Sequence, residues 1–259
     1  MPIVAVISDV HCGHPGAVWP DNFQDQNGNT ILPNKYQKVM LEYWKDFWTE
    51  AQDADYKICL AEVIEGYTRK EHGQGLMTAD LNTQLLACKA LLDPYMHGAI
   101  FMNVSGSKYH GSEDTSVDEA FCKMMGGHYW NSMAMWNPKG TDKTIFFTHV
   151  PGNPMIYKST ILDRNSLFMS ATKTKLTKDP DMMLYGHLHQ YFRFDTPTRI
   201  NVMAPCWKFW HPIKNAAKFP YTQPTIGGLI LKIPEYKGRI EVILKHYPLQ
   251  HIADALVEI

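Results

Sequence analysis

The stretch PIVAVISDVH, residues 2–11, decides how this chain is read. Residues 2–8 are short, apolar and rich in β-branched side chains, the composition of a buried strand. Asp9 and His11 follow at once. If the strand continues regularly through them, both side chains share a face and form a two-point clamp for a cation. Three more apolar runs end the same way: YKICLAE (56–62) on Glu62, KTIFFTHV (143–150) on His149, and DMMLYGHLH (181–189) on His187 and His189. Carboxylate and imidazole suit divalent Mn, Fe or Zn. Strand ends that deliver them together build a two-metal site of the kind that cleaves phosphate esters. Taken singly, each motif has a plainer reading. Asp9 is also a good cap residue, and a lone His149 or an edge-strand pair at His187 and His189 can be structural.

Between these runs the periodicity changes. Residues 35–53 place Tyr36, Val39, Met40, Tyr43, Trp44, Phe47 and Trp48 at helical spacing, which predicts an amphipathic helix on a core. Further helices are expected over 77–93, closed by Pro94, over 114–125 and over 159–178. AIFMNVSG (99–106) reads as a strand, and GGHYWNSMAMWNP (126–138) as a strand and a turn. Residues 13–33 form a long loop rich in Pro, Gly, Asn and Asp, and 63–75 a glycine-bearing connection. YFRFDT, RINVMAP, TIGGLILKI and RIEVILKHY then predict an antiparallel meander.

Helices thus alternate with strands early, and strands dominate late. That order suggests an α/β protein: a four-layer α/β/β/α sandwich of two mixed sheets flanked by helices. With no repeat, low-complexity tract or linker, residues 1–259 read as one domain. Ligand sites in open α/β sheets lie beyond the carboxyl ends of strands, where the candidate ligands fall.

Composition narrows the function. Hydrophobic residues make up 45% of the 259 positions and charged ones 20%, ordinary for a globular protein. The net charge of −1 supplies no global field for nucleic acid or an anionic membrane, so a polyanion must be held locally. Five cysteines (Cys12, Cys59, Cys88, Cys122, Cys206) without CxxC spacing favour a reducing compartment over a disulfide framework. No signal-peptide pattern and no run of membrane-spanning length stands out, so a cytoplasmic protein is expected.

In order along the chain stand DxH at Asp9 and His11, an acid at Glu62, a Gly-led loop reaching His110, then His149, then GHxH at His187 and His189. This set resembles the calcineurin-like metallophosphoesterase superfamily, with a flavour of its phage and bacterial members. The resemblance spans Asp9 to His189, 181 of 259 residues or about 70%. It implies a centre of two divalent ions, manganese the first choice and zinc, iron or nickel suitable, whose bridging hydroxide attacks phosphorus. By that resemblance Asp9, His11 and His189 hold one ion, His149 and His187 the other, and Glu62 bridges them. The substrate is then a phosphodiester or phosphomonoester, with nucleotides or nucleic acid slightly favoured; the motifs are silent on oligomeric state.

Two departures from the family pattern stand out. Its GD is here Ala61-Glu62: the acid reaches one methylene further, and Ala61 lacks the freedom of glycine at a tight strand exit. Its GNH is Gly106-Ser107-Lys108, with Ser107 in the place of an amide ligand and Lys108 in the place of a phosphate-contacting histidine. His110, two residues on, is then the candidate ligand or general acid, unless it is simply an exposed loop residue. His14 in HCGH is a minor candidate near the metals, and Cys12 reads as a small packed residue. Lys208 and His211, among Trp207, Phe209 and Trp210, offer either cation and stacking surfaces for a nucleotide or a buried aromatic turn. KTKLTK (173–178) reads as a solvated helix face. The rival to hydrolysis is a degenerate member that keeps the sandwich as a scaffold for a protein partner.

Overall fold

Alternating burial sets the first strand. In β1 (Ile3–Ile7) Val4 and Val6 face one apolar cluster while Ala5 and Ile7 face another, so both sides of the strand are covered. The chain continues with β2 (Phe23–Gln24), β3 (Thr30–Ile31), α1 (Lys35–Glu50), β4 (Tyr56–Cys59), α2 (Leu81–Leu92), a 3₁₀ turn at Asp93–Tyr95, β5 (Ile100–Asn103) and α3 (Val117–Met124). Then come β6 (His128–Tyr129), β7 (Met133–Trp136), β8 (Ile145–Thr148), α4 (Thr160–Ala171), β9 (Met182–Tyr185), β10 (Phe192–Asp195), β11 (Ile200–Met203), β12 (Ile226–Lys232) and β13 (Glu241–Tyr247). This computed structural model describes residues 1–67, 73, 75–107, 110, 116–152, 159–171, 179–209 and 223–249.

The strands form a six-stranded sheet, ordered β13-β12-β1-β4-β5-β6, and a five-stranded sheet, ordered β10-β11-β9-β8-β7. β1, β4, β5 and β6 run parallel, as do β8, β9 and β11, with antiparallel strands at the flanks. One apolar cluster lies between the sheets, joining Val4, Val6, Ile58 and Met102 to Ile145, Phe147, Leu184 and Val202. On the other face of the first sheet, Ala5, Ile7 and Cys59 pack with Trp44, Phe47 and Trp48 of α1, Leu91 of α2 and Phe121 of α3. Phe146, Met183 and Met203 of the second sheet pack with Ile161 and Leu162 of α4. The chain is a mixed α/β fold with helices outside two packed sheets.

Local chemistry explains where the helices begin. The Asn34 side chain accepts from the Tyr36 and Gln37 amides while Gln37 accepts from the Asn34 amide, a reciprocal cap that starts α1. Asp80 accepts from Thr83 N at 2.7 Å, so α2 starts at Leu81 rather than at 77. Ser116 caps α3 by accepting from Glu119 N at 3.2 Å.

Several expectations change. The late strands are no single meander: β10 and β11 close the second sheet, whereas β12 and β13 extend the first from β1. β11 pairs with β9 and β12 pairs with β1, so the two hairpins join different sheets. The loop at 13–33 carries the small β2–β3 ribbon, and 126–138 gives two strands. α1 stops at Glu50 and α4 is described to Ala171; Lys108, Tyr109, Trp210, His211 and KTKLTK lie outside the described residues. Among the described residues no helix is long and apolar enough to cross a membrane.

As far as Phe209, the aromatic segment after β11 is buried. Trp207 is fully buried, its ring 4.8 Å from Trp44 and 5.7 Å from Phe47 between centroids, and Phe209 is also buried. Trp207→Ala is therefore expected to cost about 3–5 kcal/mol. Urea unfolding should show a lower midpoint with an unchanged slope.

Candidate metal centre

The loops that leave β1 and β4 do not separate where the strands end. Asp9 N donates to Ala61 O at 3.2 Å, His11 N to Glu62 O at 2.9 Å, Cys12 N to Val63 O at 3.0 Å and Glu65 N to Cys12 O at 2.9 Å. This ladder aligns two acid-bearing loops side by side. It also forces unusual backbone. Asp9, His11, Ala61, Glu62, His187 and His189 all have positive φ, between 49° and 79°. Among the described residues, the other non-glycine positions of this kind are Asn22 and Asn131, and Asn tolerates the left-handed region. Each such residue costs roughly 1–3 kcal/mol and is held by its surroundings. The regular-strand clamp expected for Asp9 and His11 is thus not how they meet: β1 ends at Ile7, and a left-handed turn at each residue aims the side chain instead.

Six predicted ligands converge. His11 Nε2 lies 3.1 Å from Glu62 Oε2, 3.1 Å from His189 Nε2 and 3.8 Å from Asp9 Oδ1. His189 Nε2 is 3.1 Å from Asp9 Oδ1. On the other side of Glu62, Oε1 is 3.1 Å from His149 Nε2, and His149 and His187 stand ring against ring at 5.1 Å. Asp9, His11, Glu62 and His189 form one group tight enough to hold an ion; Glu62, His149 and His187 form a second. Glu62 belongs to both.

The donor set fits a divalent cation. His149 Nδ1 donates to Leu60 O at 2.6 Å, which leaves the Nε2 lone pair facing the Glu62 carboxylate. Two acceptors at that distance need a proton or a cation between them. Asp9 Oδ1, His149 Nε2 and His187 Nδ1 are buried without a hydrogen-bond partner. The second Asp9 oxygen is satisfied by the Ser8 hydroxyl and by His187 N at 3.0 Å, so one oxygen is left for a ligand. Gly186 is necessary here, since a Cβ would collide with Ser8 Oγ and His149 Nδ1. Gly106 is equally confined: a Cβ would stand 2.7 Å from Glu62 Cγ.

Charge follows the same logic. Burial opposes ionisation of Asp9, Glu62 and Glu65, yet their histidine and lysine neighbours hold all three well below the usual carboxylate range. Burial also opposes protonation of His11 and His149, but the surrounding carboxylates prevail and raise them to about 10 and about 9. His110, His187 and His189 are pushed down, burial being the main cause. Without metal, protons on His11 and His149 stand in for the missing positive charge.

The remaining candidates are placed differently. Ser107 donates to Glu62 Oε1 through Oγ at 2.5 Å and through its amide at 3.2 Å. His110 donates from Nδ1 to Glu65 O at 2.7 Å, and its Nε2 is 3.7 Å from Glu62 Oε2. It is partly buried beside His11 rather than an exposed loop residue. His14 is buried, with Nδ1 accepting from Gly16 N at 2.9 Å, and joins none of the ligand groups among the described residues. Lys208 is buried with Nζ on Glu65 rather than turned outward to a substrate.

Sequence reasoning missed Glu65 and Asp118. Glu65 Oε2 lies 2.9 Å from His11 Nδ1, at an angle too bent for a hydrogen bond. Its spacing three positions after Glu62 and before Gly66 was the available signal. Asp118 accepts from Gly106 N at 2.8 Å and Val63 N at 3.3 Å, tying the loops after β4 and β5 together. Burial is the main reason its carboxyl is raised to about 6. No signal in the sequence marked it.

The chain matches no family model and no curated protein by sequence. Solved structures do match along most of its length. Vps29 from Entamoeba histolytica in complex with zinc is 11% identical with a TM-score of 0.45, over 94% of this chain and 98% of that one. A novel archaeal phosphodiesterase is 9% identical at 0.45, over 94% and 99%. A predicted phosphoesterase from Streptococcus pneumoniae is 10% identical at 0.39, over 94% and 98%. No phage or bacterial subtype follows from them.

The raised histidines set a pH dependence. Folding gives His11 and His149 protons they hold less well unfolded, so their contribution is complete below about 6.5 and is lost as pH rises through about 9 to 10. Metal-free protein is expected to show a falling Tm across that alkaline window. Divalent metal must displace those protons, so calorimetric titration at neutral pH in buffers of different ionisation enthalpy should register proton release.

Proposed function

We propose that this chain is a metal-dependent phosphoesterase acting on phosphodiesters or phosphomonoesters, with nucleotides or nucleic acid the favoured substrates. One observation carries the reading: a buried carboxylate, Glu62, is shared by two ligand groups, Asp9–His11–His189 on one side and His149–His187 on the other. Two divalent ions bound there, manganese the first choice, supply a water of lowered pKa and neutralise charge building on the phosphate oxygens. The residues of the chain supply position and protons. Leu60 O fixes the His149 tautomer, and Ser8 and the His187 amide fix Asp9. His110, with Nδ1 committed to Glu65 O, presents Nε2 to the centre as the group to protonate the leaving oxygen. Lys208 is engaged on Glu65 and so is not turned to a polyanion. A cytoplasmic setting belongs to the same reading and is supported by five buried, free cysteines.

The scaffold alternative draws on Ser107, whose hydroxyl already occupies the Glu62 oxygen that faces His149. One set of measurements separates the two. The purified chain is expected to bind about two Mn²⁺ and to hydrolyse bis-p-nitrophenyl phosphate. Glu62→Ala should lose at least one ion and lower turnover roughly 10²–10³-fold, the scale of one transition-state contact, while Glu62→Asp retains both. Two ions and full activity in Glu62→Ala would refute the shared-carboxylate reading. Wild-type protein that binds no divalent ion and is inactive would leave the scaffold.

A further inference from the structure

Behind His11 lies a buried ion pair that the phosphoesterase reading does not use. Lys208 Nζ donates to Glu65 Oε2 at 2.7 Å across 143 positions of sequence, and both side chains are almost wholly buried. The same Oε2 is 2.9 Å from His11 Nδ1. The other ring nitrogen, Nε2, is the atom that faces Glu62 and His189. Burying two charges carries a desolvation penalty that a surface pair avoids, so the location calls for a reason.

The backbone ties this pair to the loop it backs. Trp207 N donates to Asp9 O at 3.1 Å, Phe209 N to Gly16 O at 2.8 Å and Glu65 N to Cys12 O at 2.9 Å. Lys208 and Glu65 therefore approach His11 from two segments that are each bonded to the Asp9–Gly16 loop. His11, Glu65 and His110 are also close enough together to hold an ion. Two facts weigh against a third cation there. An ammonium already sits on Glu65 Oε2, and His110 Nδ1 is spent on the Glu65 carbonyl.

We infer that Glu65 and Lys208 form a positioning device for His11. Glu65 sets its negative charge 2.9 Å from Nδ1 and so favours the tautomer that carries the proton there, which presents the Nε2 lone pair to the cation. Lys208 holds Glu65 in place and keeps its carboxylate from ligating the metal itself. Neither residue touches substrate. The inference rests on the metal centre proposed above.

The test uses the full chain and Mn²⁺ titration of wild type, Glu65→Leu, Glu65→Gln and Lys208→Met. Wild type should show two sites. Glu65→Leu should weaken one of them about 10–100-fold, the usual effect of losing such a partner, and leave the other unchanged. Glu65→Gln keeps an acceptor and should lose less. Lys208→Met, which frees the Glu65 carboxylate, should weaken the same site as Glu65→Leu. In Zn²⁺-loaded protein carrying ¹⁵N-histidine, the His11 Nδ1 proton signal should persist in Glu65→Gln and shift or vanish in Glu65→Leu. If Glu65→Leu does not fold, Glu65→Gln and Lys208→Met carry the comparison by the same readouts. Unchanged affinities and signals, or equal weakening of both sites, overturn the inference while the two-ion reading stands. Wild type that binds no ion overturns both.

Discussion

Three carboxylates, Asp9, Glu62 and Glu65, are buried around His11 and held ionised, and that concentration of negative charge governs the rest of the molecule. Unpaired, it would be prohibitive in a low-dielectric interior. In this structure His11, His149 and Lys208 provide the opposing charge. In a loaded site the imidazole protons would give way to metal, while Lys208 stays on Glu65.

Such a cluster needs rigid support, which the two sheets supply. Parallel β1, β4 and β5 in one and β8 and β9 in the other end near a common rim, and an apolar layer between the sheets fixes their relation. The left-handed residues at that rim are affordable because the ladder between the β1 and β4 loops and the Asp118 carboxylate over-determine the backbone. Strain and function share the same few residues.

Much of this was legible from sequence, for a physical reason. Apolar runs such as PIVAVIS and DMMLY are strong local signals, and a ligand at the end of such a run has little choice of location. Asp9, Glu62, His149 and His189 could therefore be brought together on paper. What stayed hidden was non-local or conformational. Glu65 lies in a glycine-bearing connection with no periodicity, and its partner Lys208 comes from the far side of the chain. Asp118 sits in the first turn of a helix, where an acid is unremarkable. The split of the last four strands between two sheets is decided by partners, β9 and β1, that the strands' own sequences do not specify.

The contact between Glu62 and Gly106 couples two positions that lie far apart in the sequence. Glu62 fits because residue 106 has no side chain to meet its Cγ. Alanine at 106 would press on Glu62 Cγ and, at 3.0 Å, on Asp118 Oδ2 at once, so position 106 is held to glycine from two sides.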